Sequence, residues 1–374
     1  MFSNRYLPLR TLFIFTSTLI LMSSCVSTPI LQIQQTEELL ENGIEPTPKK
    51  ENPITPAIED LDGSIVFSTL SEGEEPGYLL HITSPDGTIF SGLRGLYYYP
   101  MALDITGKLL ATRCGYQSDF LCIVDLTRSV DYQKFPLPAP GEWIDPVVTK
   151  IELPTSCQWD ENDERFLKSI AWTRQQELVL VCSNFNPPLY SEVWYLTLEG
   201  EQEIWAGQQY ENVVQVSPSP IEDIYLVISG FGTFVTDTEG NKLYDLPAGM
   251  FPAWSPDGSK IAYFAYTNSP RNGVAVYDLE TKEEIWLYKQ PEVPGATSED
   301  FLCGVCTYDY NGKLSWSPDG SYLVFSANYL GDYVTELFIV NIKTKELRFL
   351  IPALNTFESH GPGLPMWSQQ NFRE

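Results

Sequence analysis

Two stretches of the chain share one pattern, "PAWSPDGSKIAYFA" at 252–265 and "LSWSPDGSYLVFSA" at 314–327. In each, a strand that ends in tryptophan leads through Ser-Pro-Asp-Gly into a second strand with alternating apolar residues. Proline presets φ for the first corner of a type I turn, aspartate suits the next position, and glycine accepts the positive φ that follows. The pattern predicts a strand–turn–strand hairpin, and its recurrence predicts a protein built of repeats.

Further copies of this hairpin extend along the chain. Diverged versions begin near residues 101, 170 and 214, and a terminal "PMWSQQ" lies at 365–370. A second hairpin follows each complete copy, as in "VAVYDLETKEEIWLY" and, more weakly, "FLCIVDLTRSVDYQKF". Two antiparallel hairpins in series make a four-stranded propeller blade.

The number of these units predicts the architecture. Five copies have both hairpins, whereas residues 64–93 supply three strands without a leading one and 365–370 supply one leading strand alone. We expect the C-terminal strand to complete the first blade, because closure of the ring removes exposed sheet edges. The sequence therefore predicts an all-β fold, a six-bladed β-propeller of four-stranded antiparallel blades closed by the C-terminal strand.

The Trp-Ser-Pro-Asp-Gly turn with its alternating strand resembles the WD40-like repeat of the TolB-like six-bladed propellers. The resemblance extends over most of residues 61–374 and implies the propeller fold. TolB itself carries an α/β domain before its propeller, and residues 26–60 of this chain do not resemble one. The role of TolB in its envelope complex is therefore not carried over to this chain.

The shared aspartates of the motif, Asp257 and Asp319, are predicted to form turns and not to act in catalysis. A third Ser-Pro-Asp-Gly, at 84–87, lies in the other hairpin of its blade, so the tetrapeptide is a portable turn. Trp254 and Trp316 are expected on innermost strands, where a large flat side chain fills the wedge between neighbouring blades.

The N-terminus has the pattern of a secretory signal. "MFSNRYLPLR" carries two arginines and no acid, and the apolar run "TLFIFTSTLILM" follows it. The next residues, "LMSSC", resemble the lipobox of bacterial lipoproteins, which implies removal of residues 1–24 and a lipid anchor on Cys25. Met22 departs from the usual leucine, valine or isoleucine, and an ordinary secretory signal cleaved nearby is the alternative. Residues 25–60 are predicted to be the lipidated cysteine and a flexible tether, and 61–374 the propeller.

Charge and cysteine content limit the partners and the location. The formal net charge is −26, so the chain offers no basic surface for phosphate groups, and we expect no nucleic-acid partner. Apart from Cys25, six cysteines remain in a chain that we expect to be exported into an oxidising compartment. The expected disulfides are Cys114–Cys122, Cys157–Cys182 and Cys303–Cys306. Pairing of Cys157 or Cys182 with the Cys303–Cys306 pair is the alternative, and no metal site is predicted because the chain has one CxxC only.

Two long insertions, at about 139–167 and 291–312, and all six of these cysteines are expected on one face of the ring. Loops on a rigid scaffold commonly carry binding sites, and the alternative is that these insertions only cap the channel. The candidate binding residues precede innermost strands at the channel mouth, and they are Tyr97, Tyr98, Tyr99, Phe251, Tyr308, Tyr310 and His360.

Few residues suit catalysis. The chain has two histidines, His81 and His360, and no GxSxG nucleophile elbow. We therefore expect a non-catalytic, membrane-anchored extracytoplasmic lipoprotein whose propeller binds a protein or peptide of the cell envelope, without a cofactor. The alternative is a carbohydrate-active or peptide-processing propeller enzyme that uses acidic residues at the channel mouth.

Overall fold

The computed structural model describes part of the chain, all of it within the compact unit Thr55–Glu374. The described residues are 61–70, 78–87, 89–115, 118–128, 147–158, 166–183, 191–207, 210–230, 232–247, 249–266, 272–289, 314–327, 336–351, 363–370 and 372. Of these, the side chains of 69, 70, 78, 79, 89–99, 266, 272, 327, 351, 363 and 364 are not described. No helix in the described ranges is both long enough and apolar enough to cross a membrane.

The described residues form strands and two short 3₁₀ helices. In the first half of the chain the strands are β1 (Ser64–Leu70), β2 (Tyr78–Thr83), β3 (Ile89–Leu103), β4 (Leu109–Arg113), β5 (Phe120–Asp125), β6 (Val147–Glu152), β7 (Phe166–Trp172), β8 (Leu178–Ser183), β9 (Ser191–Leu196) and β10 (Gln202–Ile204). The two 3₁₀ helices are η1 (Leu126–Arg128) and η2 (Thr155–Cys157).

The second half continues with β11 (Gln215–Pro218), β12 (Ile224–Ser229), β13 (Gly232–Asp237), β14 (Lys242–Asp245), β15 (Gly249–Trp254), β16 (Lys260–Tyr266), β17 (Asn272–Asp278), β18 (Glu284–Lys289), β19 (Leu314–Trp316), β20 (Tyr322–Ala327), β21 (Glu336–Asn341), β22 (Leu347–Ile351) and β23 (Gly363–Ser368).

These strands form six four-stranded antiparallel blades, as the repeats predict. Blades 3 to 6 are β7–β10, β11–β14, β15–β18 and β19–β22. Blade 1 is β23, β1, β2 and the first part of β3, and blade 2 is the last part of β3 with β4, β5 and β6. The single long strand β3 therefore belongs to two blades, pairing with β2 up to Tyr97 and with β4 from Tyr98 onward.

The ring is closed by the C-terminal strand. In β23, Trp367 pairs with Ile65 of β1, and Met366 pairs with Val66. Consecutive innermost strands, in the order β23, β3, β7, β11, β15 and β19, are in contact, and β19 contacts β23 again. The predicted closure by the C-terminal strand is confirmed.

Six apolar clusters hold the blades together, one at each interface between neighbours. The cluster between blades 6 and 1 includes Phe67 and Val324, both fully buried, and the cluster between blades 5 and 6 includes Phe264 and Phe338. Because strands alternate their side chains, each blade can present one apolar face to each neighbour.

Tryptophans add a polar link to this packing. The indole Nε1–H groups of Trp172, Trp254 and Trp316 each donate a hydrogen bond to a carbonyl oxygen on the innermost strand of the preceding blade. The acceptors are Ala102 for Trp172 and Ser217 for Trp254, each at 3.0 Å. The prediction that Trp254 and Trp316 lie between blades is confirmed.

The two faces of the ring differ. We call the face that carries the first-to-second and third-to-fourth strand turns of each blade the turn face, and the opposite one the loop face. Both ends of the described chain lie on the turn face: the indole of Trp367 donates to the Asp62 carbonyl oxygen at 3.2 Å, and the amide of Phe372 donates to Ser64 Oγ at 3.2 Å.

The fourth strand of blade 2 lies elsewhere than predicted. The repeat in "FLCIVDLTRSVDYQKF" predicts a short hairpin and an insertion at 139–167, but residues 147–152 of that range form β6 and pair with β5. Ile151 of β6 is buried in the cluster between blades 2 and 3. η1, directly after β5, consequently lies on the turn face, and η2, after β6, lies on the loop face.

Candidate functional site

The six innermost strands enclose a central channel of about 360 Å³. Each blade contributes to its wall, from Pro100 and Met101 of blade 2 to Pro365 and Met366 of blade 1. Four of these strands carry a proline in the channel wall. Proline has no N–H group to donate to a neighbouring strand, and it is tolerated here because this edge of the strand faces the channel. The prolines within these strands are Pro100, Pro218, Pro252 and Pro365.

One residue from each blade surrounds the channel at the turn face. In blades 2 to 6 this residue is the second residue of the turn that joins the first strand to the second strand. It directly follows the residue whose side chain caps that turn. We call these six residues the mouth ring: Ile105, Arg174, Pro220, Pro256, Pro318 and Gln369. The three prolines come from consecutive blades and form one half of the ring, and the other three residues form the other half. Among these three, Ile105 is 46% exposed.

The ionisable side chains among the described lining residues are Asp104 and Arg174, and both make hydrogen bonds with neighbouring groups. Asp104 accepts hydrogen bonds from the amides of Lys108 and Leu109 and from the hydroxyl of Thr106. The Arg174 guanidinium donates to the Ile221 carbonyl oxygen at 2.7 Å and to Asp223 Oδ1 at 2.6 Å. These groups shape the turns around the mouth.

The motif aspartates also act within their own turns. Asp257 Oδ1 accepts hydrogen bonds from Ser255 Oγ at 2.6 Å and from the Ser259 amide at 3.0 Å. Burial opposes ionisation of this carboxyl, but the serine hydrogen bonds outweigh it and hold the pKa of Asp257 below its ordinary value. Asp319 has the same environment and the same direction of shift.

The remaining polar groups of the described channel wall are hydroxyls, two side-chain amides and tryptophan indoles. Ser315 Oγ accepts a hydrogen bond from the Trp367 amide at 2.7 Å, and Gln215 Nε2 donates to the Pro252 carbonyl oxygen at 3.4 Å. Ser169 Oγ is buried and has no hydrogen-bond partner among the described residues. A wall of prolines, tryptophans and small hydroxyl side chains suits an extended segment that offers both apolar and backbone polar groups.

Of the aromatic binding candidates, the structure places Phe251 in the channel wall. It lies in a β-bulge between Met250 and Ala253, with φ at +50°, and its ring packs edge-on against Phe264 at 6.3 Å. A bulky side chain in the left-handed region is strained, and such residues cluster at functional sites. Tyr97, Tyr98 and Tyr99 lie in β3 but their side chains are not described, and Tyr308, Tyr310 and His360 lie outside the described residues.

Two of the three expected disulfides are present, Cys114–Cys122 with a Cα–Cα distance of 5.0 Å and Cys157–Cys182 with 4.7 Å. The first spans the hairpin loop between β4 and β5, and the second ties η2 to the end of β8, both on the loop face. Cys25, Cys303 and Cys306 lie outside the described residues. The disulfides indicate folding in an oxidising compartment outside the cytoplasm.

The described part of the chain contains no candidate metal centre. No group of three or more histidine, cysteine, aspartate or glutamate residues there could hold a metal ion. His81 stacks on Phe67 with ring centroids 5.1 Å apart, and burial lowers its pKa.

Sequence reasoning missed the mouth ring. An alignment of the residues that follow each capping residue could have identified it, because Ile105, Arg174 and Pro220 occupy the place of Pro256.

Comparison with known proteins supports the fold. No family model matches the chain. The Tol-Pal system protein TolB of Alcanivorax borkumensis is 32% identical over 77 residues, which are 21% of this chain and only 14% of that protein. The crystal structure of TolB from Acinetobacter baumannii matches with a TM-score of 0.55 and 14% identity over 84% of this chain and 69% of that one.

The chain thus has a TolB-like propeller fold. An oligogalacturonate lyase in complex with manganese matches 84% of this chain and all of its own, with 12% identity and a TM-score of 0.47. A similarity of that size supports no inference about activity.

Proposed function

We propose that this protein is a non-catalytic binding propeller that works outside the cytoplasm and holds an extended segment of a protein or peptide in its central channel. The observation that carries the proposal is the chemistry of the described channel wall. It combines prolines, tryptophan edges and hydroxyl groups, and its two ionisable side chains, Asp104 and Arg174, are held by neighbouring groups.

The enzyme alternative requires an acid that is free to act at the channel mouth. A general acid or base must reach the proton that it transfers, and both oxygens of Asp104 already accept hydrogen bonds from its own turn. Among the described lining residues Asp104 is the one carboxylate. This favours binding over hydrolysis in the described part of the channel.

We further propose that Cys25 carries a lipid anchor and that residues 26–60 tether the propeller to a bacterial membrane. A flexible segment of this length would extend about 35 Å on average. The described part of the chain begins on the turn face, next to Asp62.

The channel proposal can be tested by site-specific photocrosslinking in the native cell. A crosslinker at Ala171, which lines the channel, is expected to capture one protein, whereas a crosslinker at Leu243, exposed on the outer strand β14, is expected not to. The captured segment is then synthesised and its affinity measured by calorimetry. Substitution of Ser217 by tryptophan should abolish its binding while the circular dichroism spectrum is retained. Equal capture at Ala171 and Leu243 would refute the channel as the binding site.

The anchor is tested separately by metabolic labelling with an alkyne fatty acid. The wild-type protein should incorporate the label and fractionate with membranes, and the Cys25→Ser variant should do neither. Secretion of an unlabelled wild-type protein would instead indicate an ordinary secretory signal.

A further inference from the structure

Ile221 departs from the turn pattern of the repeat. The turn from β11 to β12 reads Ser-Pro-Ile-Glu-Asp, where blades 5 and 6 have Ser-Pro-Asp-Gly-Ser. Ile221 therefore stands where Asp257 and Asp319 accept the hydrogen bonds of their turns, and its side chain is 46% exposed. An isoleucine cannot make these bonds, so it does not serve the turn. Such departures from local rules are typical of functional sites.

Ile221 belongs to an apolar patch that crosses blades 4, 5 and 6 on the turn face. A Cβ atom at Gly258 would lie 2.4 Å from Ile221 Cγ1, so the Ile221 side chain lies directly against the next turn, which carries Pro256. Pro256 lies against the turn of blade 6 in the same way, because its Cδ atom would be 3.8 Å from a Cβ atom at Gly320. We call this surface the rim patch, and its residues are Pro220, Ile221, Pro256 and Pro318.

The turn that carries Ile221 is held in place by its neighbours. Ser219 Oγ accepts hydrogen bonds from the amides of Ile221 at 3.4 Å and Glu222 at 3.3 Å. The Arg174 guanidinium of blade 3 donates to the Ile221 carbonyl oxygen at 2.7 Å. Proline at position 220 fixes φ at the start of the turn. A preorganised apolar surface loses little conformational entropy when a partner binds, which favours docking.

Negative charge is concentrated on one side of the rim patch, in the turn-face turns of blades 3 and 4. The basic residue of these turns, Arg174, is neutralised by Asp223, whose Oδ1 lies 2.6 Å from its guanidinium. The other carboxylates of these turns have no lysine or arginine partner among the described residues, and they are Glu177, Glu199, Glu201, Glu222 and Glu239. The corresponding turns of blade 6 carry as many lysines as acids and have no net charge.

The carboxylates of the two blades meet at the boundary between them. The hydroxyl of Tyr195 on blade 3 donates to that of Tyr225 on blade 4 at 2.7 Å. Burial raises the pKa of Tyr225, and the charges of Asp223 and Glu177 add to this effect, so both carboxylates lie near one hydroxyl group. Because Asp223 is already paired with Arg174, Glu177 and Glu222 are the charges left for a partner at this boundary.

We propose that the rim patch and the carboxylates beside it form a docking surface for a basic protein segment. A large apolar side chain of the segment contacts Ile221, and a neighbouring lysine or arginine contacts Glu177 or Glu222. Charge complementarity selects this occupant, because an acidic segment would be repelled and a neutral one would leave the carboxylates unpaired. The inference goes beyond the proposed function, since Ile221, Glu177 and Glu222 do not belong to the channel wall.

The docking surface is tested by NMR on the purified chain with Cys25→Ser, labelled with ¹³C at the δ1 methyl groups of isoleucine. The signal that disappears in Ile221→Val identifies the Ile221 methyl group. Ile204, on the outer strand β10 and also 46% exposed, is the matched control. The probes are three acetylated and amidated peptides, Gly-Lys-Leu-Lys-Gly, Gly-Gln-Leu-Gln-Gly and Gly-Lys-Ala-Lys-Gly.

We expect the lysine–leucine peptide to shift the Ile221 signal with saturation and to leave the Ile204 signal in place. The glutamine peptide and the alanine peptide should each bind about fivefold more weakly, since one lacks the charges and the other the apolar side chain. Glu177→Gln/Glu222→Gln should weaken binding of the lysine–leucine peptide about fivefold, the equivalent of two exposed ion pairs.

A matched pair of substitutions controls for the overall charge. Glu152→Gln/Glu211→Gln removes the same charge from the loop face and should leave the affinity within about twofold of the wild type. Equal shifts of the Ile221 and Ile204 signals, equal binding of the lysine–leucine and glutamine peptides, or an unchanged affinity in Glu177→Gln/Glu222→Gln would overturn the docking surface. An Ile221 signal that moves with protein concentration alone would assign the patch to a second copy of the chain and would also overturn it.

The Ser217→Trp variant separates this surface from the proposed function, because its indole is expected to block the channel. Binding of the lysine–leucine peptide that persists in Ser217→Trp supports the docking surface. Binding that is lost in this variant assigns the peptide to the channel and overturns the surface. Equal crosslinking at Ala171 and Leu243, with peptide binding at Ile221 intact, rejects the channel function and supports the docking surface.

Discussion

The indole N–H of Trp316 donates a hydrogen bond to the carbonyl oxygen of Ala253, 3.0 Å away on the preceding blade. The same arrangement joins Trp254 to Ser217 and Trp172 to Ala102. A tryptophan at the end of an innermost strand thus binds its blade to the one before it, in addition to filling the wedge between them.

Replacement of Trp316 by phenylalanine should lower the free energy of unfolding by about 1–2 kcal/mol, because the Ala253 carbonyl loses its partner in a buried interface. Trp286→Phe is the control, since the Trp286 indole donates to Glu284 within its own blade at an exposed position. We expect this control to cost less than about 0.5 kcal/mol. Urea unfolding followed by circular dichroism measures both. Equal losses would show that the inter-blade bond contributes nothing of its own.

Asp257→Ala should cost about 1 kcal/mol of stability at pH 7, the value of its turn hydrogen bonds. Because the folded pKa of Asp257 lies below the ordinary value of 3.8, this stabilisation is complete above that value and is lost as the pH falls through the folded pKa. The difference from the wild type should therefore shrink between pH 7 and pH 2.

Asp319→Ala should show the same pH dependence as Asp257→Ala, because the two turns are equivalent. Exposed Glu280→Ala is the control and should stay within about 0.5 kcal/mol of the wild type throughout. Urea midpoints at several pH values measure the trend. If these variants kept the stability of the wild type but no longer bound the peptide segment captured in the channel, the aspartates would have a binding role. That result would contradict their assignment as turn formers.

The two described disulfides should differ in reactivity. Cys157 and Cys182 are fully buried, whereas Cys114 is partly exposed, so mild reduction of the native protein should open Cys114–Cys122 first. Alkylation with mass spectrometry detects the order. The closed loops span 25 and 8 residues, and loop entropy predicts stability losses of about 3.5 and about 2.5 kcal/mol on removal of each pair. Peptide mapping in the same experiment tests the predicted Cys303–Cys306 bond.

Gly258→Ala should destabilise more than Gly320→Ala, although both glycines have positive φ, +66° and +71°. A methyl group at Gly258 would overlap the side chain of Ile221 on the preceding blade, whereas at Gly320 the nearest atom, Pro256 Cδ, is 3.8 Å away. Backbone strain costs about 1–2 kcal/mol in both variants, and the overlap adds about 1–3 kcal/mol in the first.

The Gly258→Ala/Ile221→Ala double variant isolates the overlap. Removal of the Ile221 side chain should relieve it and bring the effect of Gly258→Ala close to that of Gly320→Ala. An unchanged loss in the double variant would assign the whole effect to backbone strain.

The sequence predicted the ring well because its determinants are local and repeated. Trp254 and Trp316, each followed by Ser-Pro-Asp-Gly, specify the first hairpin of a blade, and the unmatched leading strand near Trp367 specifies the closure. β6 was misplaced because its identity depends on Ile151 packing in the cluster between blades 2 and 3, a contact that the local pattern does not encode.

The site was predicted less well for a related reason. Phe251, predicted from its place before an innermost strand, lines the channel, but the bulge between Leu167 and Ser169 at the start of β7 was not predicted. Periodicity alone predicts an unbroken alternation of side chains along this strand. The register of a bulge is decided by pairing with β8 and is therefore not visible in β7 itself.

The pairing of β1 with β23 also determines when the protein can fold. Ile65 meets Trp367 only after nearly the whole propeller has been synthesised. Until then the first blade lacks its inner strand, and β1 exposes an unpaired edge that other chains can join. Contacts of such long sequence separation form slowly. The unfinished chain is therefore exposed to pairing with other chains until its last strand completes the ring.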